Sequence, residues 1–305
     1  MNIRSGRAYP FDSIVMVYCL LMTSLILVFG RPLTEYLDEL SFYVGTALLA
    51  FVLPRVLDER ASRIQGFFRL LYPALLLWPF YTMTQGTIFL IFDRFFDSNL
   101  SAFEVSIFGF DPSLMFDSRG LNVIVTEILS LCYFSYYFMM PAFLLPVFLK
   151  RDYQVIKESL AAICLTFFIS YVLFSLYPVE GPRWYLADQY QHTLEGPVFR
   201  QLVNFVIHTA AVHGGCMPSS HTGVALVILL YCFKFYRKAA WILLPFVIGL
   251  AAGTVWGRFH YVSDVVVGAG IGVAAFWFVR KNHDRWIDQG DGIVTSDMMQ
   301  SAHVS

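Results

Sequence analysis

Residues 121–149 read LNVIVTEILSLCYFSYYFMMPAFLLPVFL, and Glu127 is the sole charge in the run. A helix rises ~1.5 Å per residue, so a run of this length covers the ~30 Å hydrocarbon core of a bilayer. Working outward from it, seven more apolar runs read as spans: 13–30, 40–57, 67–92, 156–178, 219–236, 239–256 and 261–280. The run 67–92 contains Pro73, Pro79 and Gly86, so a kink is expected there. The first run follows Arg4 and Arg7, as a signal peptide does. It ends in Gly30-Arg31-Pro32 with no small-residue cleavage site, and is read as a retained anchor.

Composition agrees. Hydrophobic residues make up 57% of the 305 and charged residues 14%, against ~25% charge in an average soluble domain. So few charges cannot cover a water-facing surface of this size. The net charge of −1 gives no basic field for nucleic acid. The fold class is therefore all-α integral membrane, with about eight transmembrane helices.

The connections alternate in charge. Arg4, Arg7, Arg55, Arg60, Arg63, Arg69, Lys150, Arg151, Lys157, Lys234, Arg237, Lys238, Arg280, Lys281 and Arg285 all fall on one side. Arg31, Arg94, Arg119, Arg183, Arg200 and Arg258 fall on the other. The positive-inside rule then makes both termini cytoplasmic, in a multi-pass protein of a plasma or inner membrane. Loops 31–39, 93–120, 179–218 and 257–260 face outward. Segment 93–120 mixes Asp93, Asp97, Glu104, Asp111 and Asp117 with Phe95, Phe96, Phe103, Phe108 and Phe110, and reads as an amphipathic stretch lying at the interface. Loop 179–218 is longer than a connection requires, which points to function. Residues 286–305 are polar and read as a disordered tail. No repeat of 20–50 residues is visible.

The polar chemistry gathers at outward-facing helix mouths. His260 and Asp264 are four residues apart, which places them on one helical face. A carboxylate on one imidazole nitrogen fixes the tautomer and frees the other nitrogen as acceptor or nucleophile. Arg258 beside them is suited to phosphate. At a second mouth, Pro218 stands at the first helical position. The amides and hydroxyls of Ser219, Ser220 and Thr222 form either an anion site or an ordinary helix cap. His221 stands among them as a possible acid. Gly181-Pro182-Arg183-Trp184 follows a third span on the same side. Together these spell metal-free phosphoryl transfer: an Asp-backed His attacks phosphorus, a second His protonates the leaving oxygen, and arginine plus amides hold the charge.

Pro218-Ser219-Ser220-His221 and His260-Tyr261-Val262-Ser263-Asp264 resemble two signature motifs of the type 2 phosphatidic acid phosphatase superfamily, Pro-Ser-Gly-His and His-x-x-x-Asp. The resemblance implies a six-helix core within residues 67–285, preceded by a helix pair in 1–66. It implies His260 as nucleophile forming a phosphohistidine, Asp264 as its orienter and His221 as general acid. Arg183, Ser219, Ser220 and Arg258 would hold phosphate. The chain departs from the phosphatase pattern at three places. Leu176 stands where a Lys is usual, Thr254 where an Arg is usual, and Ser220 where Gly is usual. Gly-Pro-Arg after the span, Arg-x-His-Tyr-x-x-x-Asp and the Phe108-Gly109-Phe110-Asp111-Pro112 loop look more like the inositolphosphotransferase (inositol phosphorylceramide synthase-like) branch. The expected substrate is a lipid phosphate ester met in the bilayer, with no nucleic-acid partner, no cofactor and no metal; water and alcohol both stay open as acceptors.

The rival reading is a polytopic lipid transporter or flippase, which predicts paired polar residues near mid-bilayer and internal repeats. Of the remaining residues, Glu127 near a span end is read as snorkelling. His192, His208 and His213 are read as surface residues, and Gly268 with Gly272 as a close-packing stripe. The five cysteines form no CxxC pair and read as buried, inert thiols.

Overall fold

The computed structural model describes residues 8–118, 120 and 122–282. The polar tail 286–305 lies outside them, as do Arg4, Arg7, Arg119 and Arg285 of the charge count. Among the described residues the chain is helical, with one isolated bridge pairing Val179 with Gly215.

Eight helices follow the eight expected spans: α1 (Pro10–Phe29), α2 (Leu37–Val56), α3 (Arg63–Met83), α6 (Val123–Leu149), α7 (Tyr153–Leu176), α10 (Ser220–Phe235), α11 (Arg237–Trp256) and α12 (Val262–Lys281). Four shorter helices sit between them: α4 (Asp97–Phe108), α5 (Pro112–Ser118), the single turn α8 (Pro182–Tyr185) and α9 (Phe199–Ala210). Six are long and apolar enough to cross a membrane: α1, α2 with the turn before it, α6, α7, α11 and α12. The protein is an all-α, multi-pass membrane protein. Helix α10 is apolar but has only 16 residues. Helix α3 carries Arg63, Gln65 and Arg69 in its first two turns, which lowers its hydropathy.

The expected helix 67–92 is corrected at its end. Helix α3 stops at Met83, and Thr84–Thr87 tighten into a 3-10 turn. Thr84 Oγ1 donates to Tyr81 O, and Thr87 Oγ1 to Thr84 O, so both side chains bond back to the main chain of the turn. The stop falls on Thr84-Gln85-Gly86-Thr87, a short polar break inside the apolar run.

Helix α7 is the axis of the bundle, with most of its length buried. Helices α1, α3, α10 and α12 pack round it. Tyr18 of α1 stacks on Phe168 of α7, ring centroids 4.2 Å apart. Helix α10 approaches α12 through glycines. A Cβ on Gly268 would collide with Ser219 O, and one on Gly272 with Gly223 O. Backbone therefore meets backbone where α10 and α12 bring the two histidine mouths together.

At the end where α1, α3 and α7 begin, buried charges are paired. Arg69 Nη2 lies 2.6 Å from Asp12 Oδ2, with both residues 1% exposed, and Tyr72 Oη donates to Asp12 Oδ1 at 2.7 Å. Lys157 faces Glu59 at 3.3 Å. Glu158 receives Lys234 at 2.9 Å, with Arg280 3.6 Å away.

Segment 93–120 is the second correction. Helices α4 and α5 do carry two faces, but inverted relative to an interfacial helix. Asp97, Glu104, Asp111 and Asp117 are buried, whereas Phe103, Ile107, Phe108 and Phe110 are exposed. The acids are spent on the protein's own loops.

Candidate active site

Three of those acids accept from a distant backbone, while Asp111 accepts from Ser113 N–H and Leu114 N–H at the start of α5. Asp97 takes Glu180 N–H and Gly181 N–H, both at 2.9 Å, and Tyr261 Oη donates to it at 3.1 Å. Asp117 takes Gln191 N–H at 2.7 Å and His192 N–H at 3.2 Å. Glu104 receives both Ser263 N–H and Ser263 Oγ–H at 2.6 Å, fixing the first turn of α12. Glu127 does not snorkel: it accepts Val198, Phe199 and Arg200 N–H at 2.9–3.3 Å, satisfying the free donors that open α9. Burial pushes the Asp97 and Glu104 carboxyls up, and the donated hydrogen bonds oppose that shift. Four carboxylates thus hold the long loop 179–218 and the start of α12 in place.

Within that frame the expected residues converge. His260 is 5% exposed, and its Nδ1 lies 3.4 Å from Asp264 Oδ2. The His221 and His260 ring centroids are 5.9 Å apart. His221 rests against Tyr133 and Tyr136, and its buried Nδ1 has no partner among the described residues. His221, His260, Arg183, Tyr81, Tyr133 and Phe259 line a cavity of ≈ 60 Å³. The carboxylate on its wall, Glu180, is tied to His213 Nε2 at 3.0 Å. A second, mostly apolar chamber of ≈ 200 Å³ adjoins it, sharing Tyr81, Tyr133, Ile207, Ala211 and His221.

Arg183 reaches the cavity from α8. Gly181 precedes it at φ 96°, where a Cβ would press on Cys216 Sγ and Phe259 O. Arg183 N–H donates to Arg258 O at 2.9 Å, so loops 179–218 and 257–260 are stitched together at this point. The Arg183 guanidinium sits on the rings of Trp184 and Phe259, without a carboxylate partner among the described residues. Burial pulls its pKa down.

Ser219 and Ser220 are placed differently from expectation. The α10 N-cap is Ser219, so Pro218 stands one position outside the helix rather than on its first turn. Ser219 is fully buried; its Oγ accepts Thr222 N–H at 3.4 Å, and its N–H donates to Asp264 O at 3.0 Å. Its hydroxyl is therefore occupied as a cap. Ser220 lines the apolar chamber beside His221. Arg258 is also redirected. Its Nη2 donates to Asp117 Oδ1 at 2.6 Å and His192 O at 2.7 Å, and its guanidinium covers Tyr190 at 3.7 Å. It adopts φ 65°, a conformation that costs a non-glycine residue ~1–2 kcal/mol, so the surrounding contacts enforce it. That turn presents His260 while its own side chain faces away. His192, His208 and His213 are exposed, as expected of surface residues.

Two residues at the site escaped sequence reading. Arg200 is 8% exposed, lies 5.3 Å from the Phe259 ring, and its Nε has no hydrogen-bond partner among the described residues. Burial first, then the Arg258 and Arg183 charges, hold its pKa down to about 10. Cys216 is the other: its Sγ donates to Asp264 Oδ2 at 2.9 Å and lies 3.4 Å from His260 Nδ1. Burial and the Asp264 charge push this thiol well above its usual value. Cys216, His260 and Asp264 form a potential metal-ligand set, against the expectation that no such cluster exists.

Comparison with known proteins gives two findings. A family model described as the PAP2 superfamily matches residues 103–278. A PA-phosphatase related-family protein of Dictyostelium discoideum is 26% identical over 182 residues, covering 53% of this chain and 33% of that protein. The match thus spans about a third of that relative's length. No solved structure matches the chain.

Proposed function

The chain belongs to the PAP2 superfamily, whose model covers more than half of it, and on that premise we propose that it cleaves or transfers the phosphoryl group of a lipid phosphate ester through a phosphohistidine on His260. Membership of a phosphatase family supports a phosphoric ester hydrolase; the steps and residue roles are our reading. The observation that carries it is the meeting of His260, His221 and Arg183 on one small cavity, with Asp264 behind His260.

Asp264 holds the Nδ1–H tautomer, which leaves the Nε2 lone pair for phosphorus. As the N–P bond forms, the bond to the leaving oxygen breaks, and His221 supplies that oxygen with a proton. Arg183 and Arg200 balance the charge on the remaining oxygens. In the second step His221 takes a proton from water or a lipid alcohol, whose oxygen displaces His260 from phosphorus. The aromatic chamber beyond His221 suits the apolar part of the substrate. The Arg-x-His-Tyr pattern favours an alcohol acceptor, as in the inositolphosphotransferase-like branch. No metal is required at any step.

The test is a panel of lipid phosphates offered to the purified protein with and without alcohol acceptors, reading free phosphate and new lipid. Rapid quench with labelled substrate should trap an acid-labile phosphoenzyme in the wild type and none in His260→Ala. A phosphoenzyme that persists in His260→Ala would defeat the assignment. The charge asymmetry of the loops supports a site that faces outward and termini in the cytoplasm. Cysteines introduced at exposed Gln191 and Lys238 should then label from opposite sides of intact cells; labelling of both from one side would overturn that orientation.

A further inference from the structure

We propose that Cys216, His260 and Asp264 bind a thiophilic divalent cation, zinc foremost, and that its binding shuts the site off. The inhibitory half rests on the function proposed above; the binding half stands without it.

The donor set carries the inference. One sulfur, one imidazole nitrogen and one carboxylate oxygen lie within 4.8 Å of one another. Sγ–Nδ1 and Nδ1–Oδ2 are each 3.4 Å, and Sγ–Oδ2 is 2.9 Å. Zinc binds sulfur at ~2.3 Å and nitrogen or oxygen at ~2.0–2.2 Å, so a tetrahedral site has ligand–ligand edges of ~3.3–3.6 Å. Two edges already match, and the third needs to open by about half an ångström. The three residues are 0–5% exposed. Asp264 Oδ1 is itself buried without a partner among the described residues, so the carboxylate has acceptor capacity that the resting hydrogen bonds leave unused. Cys216 and His260 both line the 60 Å³ cavity, which gives the ion a path and leaves its fourth position to water or a phosphate oxygen. Sulfur and nitrogen donors select zinc over magnesium or calcium, which demand six or more oxygens.

Binding releases one proton: the Cys216 S–H proton leaves to solvent, and the His260 proton moves from Nδ1 to Nε2. Thiolate and carboxylate then neutralise the ion. The metal occupies the nitrogen that Asp264 otherwise holds protonated, and Nε2 then carries the ring proton, so no lone pair is left there for phosphorus. Chelation should therefore raise activity or leave it unchanged, never abolish it.

The experiment uses the purified full-length chain in detergent. Dialysis against Zn²⁺ and metal analysis should find one equivalent per chain. Co²⁺ in its place should give a thiolate-to-metal charge-transfer band. Cys216→Ser should lose that band and bind Zn²⁺ more than ~10-fold more weakly, since loss even of an outer-shell partner costs ~10–100-fold. Cys132→Ser, at a buried thiol remote from the set, should keep both. Asp264→Asn serves as a second ligand variant should Cys216→Ser fail to fold. Zn²⁺ should inhibit wild-type turnover reversibly. Equal zinc retention and an equal Co²⁺ band in wild type, Cys216→Ser and Asp264→Asn would overturn the site. A band without any phosphatase or transferase activity would support the site and sink the function instead.

Discussion

The two ends of the helix bundle bury cations in opposite ways. Where α1, α3 and α7 begin, Arg69 meets Asp12 and Lys157 meets Glu59. At the other end Arg200 is about as buried as Lys157, yet neither it nor Arg183 faces a free carboxylate among the described residues. The carboxylates there are just as numerous, but Asp97, Glu104 and Glu127 grip loop backbone, and Asp117 takes Arg258. A buried unpaired charge costs several kcal/mol, so a stable protein keeps one only where something else supplies the counter-charge. The paired end holds helices together; under the proposed function, the unpaired end receives the anion of the substrate.

That contrast can be broken most directly at the histidines. His260→Ala should reduce turnover to background in a phosphate-release assay, since no other residue lining the cavity has an Asp-backed imidazole. His221→Ala should follow, with a loss of ~10²–10⁴-fold on an alkyl phosphate. The loss should be far smaller on p-nitrophenyl phosphate, whose leaving group needs no proton. Equal losses on the two substrates would remove His221 from the acid role.

The arginines sharpen it further. Arg183→Gln and Arg200→Gln should each lower kcat/KM by ~10–150-fold, the equivalent of ~1.5–3 kcal/mol for a charged hydrogen bond. Arg200 is a cation whose folded pKa is depressed to about 10, so its charge is present below that value and lost as pH rises through it. Wild-type kcat/KM should fall on passing about pH 10, and Arg200→Gln should lack that limb. The smallest effect on chemistry belongs to the paired end. Asp12→Ala removes the buried carboxylate that Arg69 meets and should cost ~3–5 kcal/mol of stability, read as a lower unfolding temperature. Turnover per folded molecule should not change. A drop there as large as that of Arg200→Gln would erase the distinction between the two ends.

The sequence carried the spans and the three central side chains because those signals are local. Apolar run length marks a membrane helix, and i,i+4 spacing puts His260 beside Asp264. What it missed is tertiary. Thr84-Gln85-Gly86-Thr87 do mark the end of α3, but the apolar run resumes at Ile88 and hides the stop. The acids of 93–120 announced two faces without saying which one turns inward. Arg200 and Cys216 lie in no motif with His260. They arrive through α9, which Glu127 anchors, and through the turn before α10, and each is recognisable only once its neighbours are placed.

The carboxylate grip on loop 179–218 has a consequence for how this surface can change. Asp97, Asp117 and Glu127 hold N–H groups, which every residue but proline possesses. Glu180, Gln191, His192, Val198 and Phe199 can therefore be exchanged for almost any other residue, proline aside, without releasing the loop. The surface over the histidine cavity is thus an editable display, open to change while the register that positions Arg183 and Arg200 stays put.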